Sequence, residues 1–100
     1  MTYSVKFLDI ALDDIQDAVN WYNQQTAGLG RRFTGAVRSK VKLIRENPFL
    51  FAKRYQIVHT AVLSIFPFMI HFEIILELRL VVITGVVHKS LNPEIWKRVK

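Results

Sequence analysis

The chain has 100 residues, 51% of them apolar and 22% charged, with no cysteine and a net charge of +6. That length suits a single domain spanning 1–100, and the apolar fraction excludes a disordered polymer. Without thiols neither disulfides nor thiolate metal sites can brace the fold, and no metal or other cofactor is expected.

The charge is unevenly spread. Residues 1–30 carry Lys6 against four aspartates, a balance of −3, and residues 31–58 carry eight Lys/Arg against Glu46, a balance of +7. A basic middle calls for an acidic partner, and charge sign alone does not choose between nucleic acid and an acidic protein segment. The opening MTYSVKFLDIALDD lacks the basic-then-apolar order of a signal peptide. The most apolar stretch, Phe66 to Val87, contains His71, Glu73, Glu77 and Arg79. Four ionisable groups are too costly for a lone membrane span, so a soluble protein without membrane contact is expected.

Taken in order, YSVKFL alternates at period two and predicts a short strand. Asp9 is the expected N-cap of a first helix, with Asp13, Asp14 and Asp17 favourably placed near its positive end. Leu12, Ile15, Val19 and Tyr22 recur at helical steps as its buried face, and AGLG ends it near Thr26. A second helix is predicted from Arg31 to Glu46, with Phe33, Val37, Val41 and Ile44 as its apolar stripe and Asn47-Pro48 as its stop. The short link makes the two an antiparallel hairpin. Strands are predicted over 57–65, 68–76 and 79–88, with Pro67 separating the first two and a turn in LELR that no glycine, proline or asparagine marks. The last strand is apolar on both faces and should lie inside the sheet. Asn92-Pro93-Glu94 opens a short C-terminal helix that would lay Trp96 back over the sheet. The expected class is α+β: an N-terminal strand, a helical hairpin, a three-stranded antiparallel meander and a short C-terminal helix.

Five patterns then occur in one order: AxxDIxxAxxWY from Ala11 to Tyr22, GLGxxF from Gly28 to Phe33, NPxxF from Asn47 to Phe51, FPFxIxFEI from Phe66 to Ile74, and GVVHxxxNPxxWxxR from Gly85 to Arg98. Together they resemble the RelE/ParE superfamily of toxins from type II toxin–antitoxin modules, nearer the ParE-like, plasmid-stabilisation branch. The resemblance implies a small cytoplasmic protein silenced by a cognate antitoxin. For the ParE-like branch it implies binding to DNA gyrase without catalytic residues of the toxin's own. For the RelE-like branch it implies cleavage of mRNA on the ribosome.

Metal-free ribonuclease action needs a base for the 2′-hydroxyl, cations for the phosphorane and an acid for the leaving oxygen. Lys53 and Arg54, expected in the loop before the second strand, together with His59 and His88, are the candidates for that alternative. The resemblance also implies a terminal tyrosine and further arginines, but the sequence places His59-Thr60-Ala61 and Leu91 at the arginine positions and no tyrosine after His88. The ParE-like, non-enzymatic reading therefore leads, with a nuclease or a decayed toxin that only binds antitoxin as alternatives. Arg31, Arg38, Lys42 and Arg45 fall within roughly a 60° arc of the second helix and are the expected target- or antitoxin-binding stripe. Its bland counterpart is a solvated face balanced by the aspartates of the first helix. His71, on the less apolar side of its strand, is expected at the surface or toward a partner, as are Lys89 and Trp96.

Overall fold

The computed structural model describes residues 2–90. The elements are β1 (Ser4–Phe7), α1 (Asp9–Gln25), α2 (Leu29–Glu46), β2 (Lys53–Tyr55), β3 (Val58–Val62), β4 (Phe68–Ile75) and β5 (Leu80–His88), with short 3₁₀ turns at Pro48–Leu50 and Leu76–Leu78. The five strands form one sheet in the order β1-β5-β4-β3-β2. The β1/β5 pair is parallel and the other three pairs are antiparallel, so the sheet is mixed and broader than a three-stranded meander. The expected C-terminal helix and Trp96 lie outside the described residues.

The helical hairpin packs on one sheet face. Phe33, Val37 and Ile44 of α2 and Ala11 and Ala18 of α1 meet Ile70, Phe72, Val81, Ile83 and Val86 in a single core. Tyr22, Phe33, Phe66 and Phe68 form an aromatic cluster at the closed end of the hairpin, with ring centroids 4.9–6.1 Å apart. Gly28 has φ +87°, the left-handed turn that lets the chain reverse. Two residues on, Gly30 lets the helices close: a Cβ there would meet Val19 Cγ1, the Val19 carbonyl oxygen and Asn23 Nδ2 at 2.7–2.8 Å. The Gly30 N–H, one of the orphan donors of the first turn, is taken by Asn23 Oδ1 at 2.8 Å.

Several local expectations need correction. Asp9 is the first residue of α1 and its side chain makes no capping bond; Leu8 holds the cap position. The second helix starts at Leu29, not Arg31. Lys53 and Arg54 lie on a strand, because 53–55 folds back on β3 as a short edge. The unmarked turn in LELR works through Arg79, which takes the left-handed conformation at φ +46° while its guanidinium stacks 4.4 Å above the Tyr3 ring. No glycine, proline or asparagine is needed there, so the turn leaves no sequence signal.

Strand β5 is interior and buried on both faces, as its sequence requires. Between the pairs His71↔Gly85 and Phe72↔Ile83 its register slips by one, leaving Thr84 as the extra residue of a bulge. The Thr84 hydroxyl donates to the His71 carbonyl at 3.3 Å, which ties the bulge down.

Candidate functional site

Parallel pairing to β1 runs as far as Phe7↔Ile83, and the Leu8 N–H closes it on the Ile83 carbonyl. Past that point the outer edge of β5 is flanked by α1. Asp14 supplies what a strand would have: its Oδ2 accepts the Val86 N–H at 3.0 Å. This contact sets α1 against the sheet, and α2 then lies beside α1 with its opposite flank facing outward.

Between the two helices, beside the end of β1, runs a groove of about 560 Å³. Its apolar floor is Phe7 of β1, Leu12 and Ile15 of α1, and Val37 and Val41 of α2; Arg38, Lys42 and Arg45 form its rim. Three of the four cations in the expected stripe are thus brought together. Arg31 does not line the groove. Arg45 also fastens β1 to the end of α2, since its Nε donates to the Tyr3 carbonyl at 3.1 Å while its own carbonyl accepts the Tyr3 N–H at 2.9 Å. Leu12, expected on the buried stripe, is 50% exposed because it floors this groove. The helical period alone could not distinguish a core position from a groove wall.

The aspartates of α1 do not fill this rim. Asp14 and Asp17 line a separate trough of about 270 Å³ on the other flank of α1, with Ala18, Trp21, Phe68 and His88. There His88 packs edge-on against Phe68 at 5.3 Å, and its Nδ1 accepts the Ser90 N–H at 3.1 Å. His88 is occupied in closing its strand, and Lys89, exposed, donates its backbone N–H to the Pro67 carbonyl.

The four residues of the nuclease alternative are not assembled into one acid–base centre. His59 Nδ1 donates to the Phe51 carbonyl at 2.6 Å, and its ring stacks on Phe72 at 5.3 Å. Since a carbonyl can only accept, Nδ1 carries a proton and the ring is oriented by the core. His59 pairs with Phe72 and His88 with Phe68, so two strand spacings and four residues separate them. That is roughly 16 Å at ordinary sheet dimensions, too far to work on adjacent oxygens of one phosphodiester. His71 is also not a surface group. It is 2% exposed, and its Nδ1 lies 3.1 Å from the Tyr55 hydroxyl, which reaches it past β3. Sequence reasoning misses this aromatic hydroxyl beside a histidine, because the β2–β3 reversal that brings it there carries no glycine or proline; Gln56 takes the left-handed turn position at φ +46°.

Among the described residues no group of three or more His, Asp or Glu is arranged to hold a metal ion, and no helix is long and apolar enough to cross a membrane.

Comparison with known proteins gives no matching family model and no matching curated protein. Solved structures do match. A chain of the chromosomal ParDE toxin–antitoxin system of P. aeruginosa superposes with a TM-score of 0.76 at 18% identity, covering 87% of this chain and 96% of that one. The RelBE2 toxin–antitoxin complex of Mycobacterium tuberculosis gives 0.66 at 17% identity, covering 88% and 99%. A mutant RelE toxin of E. coli in the free state gives 0.67 at 17% identity, covering 99% and 90%. At such identities the likeness is one of fold, and it extends over nearly the whole chain.

Proposed function

We propose that this chain, which has the fold of the RelE/ParE toxins, is the toxin of a type II toxin–antitoxin module. On this reading it acts in the ParE-like manner, by binding DNA gyrase, and is silenced by a cognate antitoxin. The observation that carries the reading is the groove between the helices. An apolar floor with a rim of Arg38, Lys42 and Arg45 suits an amphipathic, acidic segment that is disordered alone and orders on binding. Burial of the apolar side supplies affinity, while carboxylates opposite the cations set register and speed encounter.

The non-enzymatic mode is supported by the placement of the titratable groups. His59 is held in the core, and His88, about 16 Å away by strand spacing, is bonded within its own turn. Lys53 and Arg54 lie on the edge strand β2, with β3 and β4 between them and the strand that carries His88. Lys53 stands opposite His59 across the β2/β3 pair, but His88 lies two strands further on, so acid, base and cations do not converge on one phosphate.

The test is induction of the chain in cells with and without the neighbouring small reading frame, followed by two assays on purified protein. Growth arrest relieved by the neighbour, inhibited supercoiling by gyrase and intact ribosome-bound mRNA are the expected results. Cleaved mRNA, lost on His59→Ala or His88→Ala, would establish the nuclease instead. Induction without any effect on growth would leave a protein that only binds antitoxin.

A further inference from the structure

Five of the ten exposed large apolar side chains among the described residues gather at one place. Phe49, Leu50, Ile57, Leu76 and Leu78 are each 56–74% exposed, and all five belong to one end of the fold. Phe49 and Leu50 follow α2, Ile57 sits in the β2–β3 turn, and Leu76 and Leu78 form the β4–β5 turn. Tyr3 links them: its ring meets Phe49 edge-on at 6.5 Å and carries Arg79, the residue after Leu78, on its face. Phe49 also reaches the ring of His59 in β3, so the patch runs across the end of the sheet.

We propose that this end is a self-association surface, and that its occupant is a second copy of the same chain. Two features select that partner over an acidic or basic stranger. The first is area. The five side chains expose roughly 600 Å² of apolar surface, at the top of the range for the largest patch on a monomer. With the polar atoms around them this approaches the roughly 800 Å² per partner of a standard interface. The second is charge. Glu46 and Glu77 stand at this end together with Lys53 and Arg79, so the patch carries both signs. A two-fold contact places the same patch on both sides, so a patch of one sign repels itself, whereas a mixed one can pair acid with base. The groove on α2, whose rim is cationic throughout, fails that condition; the sheet end meets it. Interfaces of about this size span micromolar to picomolar affinities, and the micromolar end sets the least demanding test.

This inference does not depend on the toxin reading, since it uses neither the helix groove nor any target. Its test is the mass of the full chain by sedimentation equilibrium between about 1 and 100 µM, the span in which such an interface should assemble. The expected result is a monomer at the lower end and a dimer at the upper. Leu78→Glu and Leu50→Glu, which bury a carboxylate from each copy, should each weaken association at least tenfold, with unchanged melting in dilute solution because both side chains are exposed. Leu12→Glu, in the helix groove, should leave association unaltered. A wild-type chain monomeric throughout, variants that dimerise as tightly, or equal loss in Leu12→Glu would each overturn the proposal.

Discussion

Two glycines five residues apart in α2 offer a sharp test of how the hairpin is built. Gly30 sits where α1 passes closest, and a Cβ built there would lie 2.8 Å from both Val19 Cγ1 and the Val19 carbonyl oxygen. A side chain can rotate away, but the carbonyl belongs to α1's own ladder and can retreat only if the helix moves. Gly30→Ala should therefore cost about 3 kcal/mol of overpacking, the upper part of the range for such insertions. About 1 kcal/mol is recovered because alanine is the better helix former. The net loss is about 2 kcal/mol, or roughly 8–16 °C in Tm for a domain of this size. Gly35 has nothing within 4 Å of its absent Cβ, so Gly35→Ala keeps only the propensity gain. It should raise stability by up to about 1 kcal/mol. Thermal and urea unfolding of both variants, followed by circular dichroism, decide the matter. Equal signs for the two substitutions would refute the claim that Gly30 is required by helix contact and not by helix chemistry.

Three further outcomes follow from the same geometry. Arg38→Glu with Lys42→Glu reverses two rim charges of the helix groove and, on the proposed function, should weaken binding of the proposed antitoxin by at least tenfold, more at low salt than at high, with little change in Tm; calorimetric titration measures it. Asp14→Ala leaves the Val86 N–H without its acceptor, and loss of a charge-assisted bond of this kind should lower stability by about 1.5–3 kcal/mol, where Asp14→Asn recovers part because its amide oxygen can still accept. Burial pushes the Tyr22 hydroxyl above its ordinary value of 10.0, so the folded state holds that proton more tightly than the unfolded chain does. Stability from this group is complete below pH 10 and is lost as pH rises beyond it, and Tyr22→Phe should show a shallower alkaline decline in urea titrations.

The order of elements was legible because each is written in a period that physics enforces. Val37 and Ile44 recur with the helix turn, and Phe68, Ile70 and Phe72 with the strand pleat, and all but the half-buried Phe68 proved fully buried. The interior position of β5 was likewise readable, since a strand without polar alternation has no face to offer water. What escaped was decided by partners distant in sequence. The parallel pairing of β1 with β5 joins residues more than seventy apart and leaves no local mark in SVKF. The two unmarked turns are held by non-glycine residues in the left-handed region, Gln56 and Arg79, whose conformation the surrounding sheet imposes.

The same distinction explains why the site was only half visible. Arg38, Lys42 and Arg45 were legible as a stripe because charge at helical spacing needs no tertiary knowledge. Whether that stripe is a solvated face or the rim of a groove depends on where the aspartates of α1 point. Asp14 is drawn to the Val86 amide because β1 ends before β5 does, and Asp17 lines the same trough on that flank. The short first strand thus separates acid from base across the hairpin, and it leaves the cations of α2 over apolar floor instead of opposite carboxylates. A β1 two residues longer would satisfy Val86 itself and release Asp14. The length of a four-residue strand therefore helps decide whether the cationic rim of the helix groove is left without carboxylates opposite it.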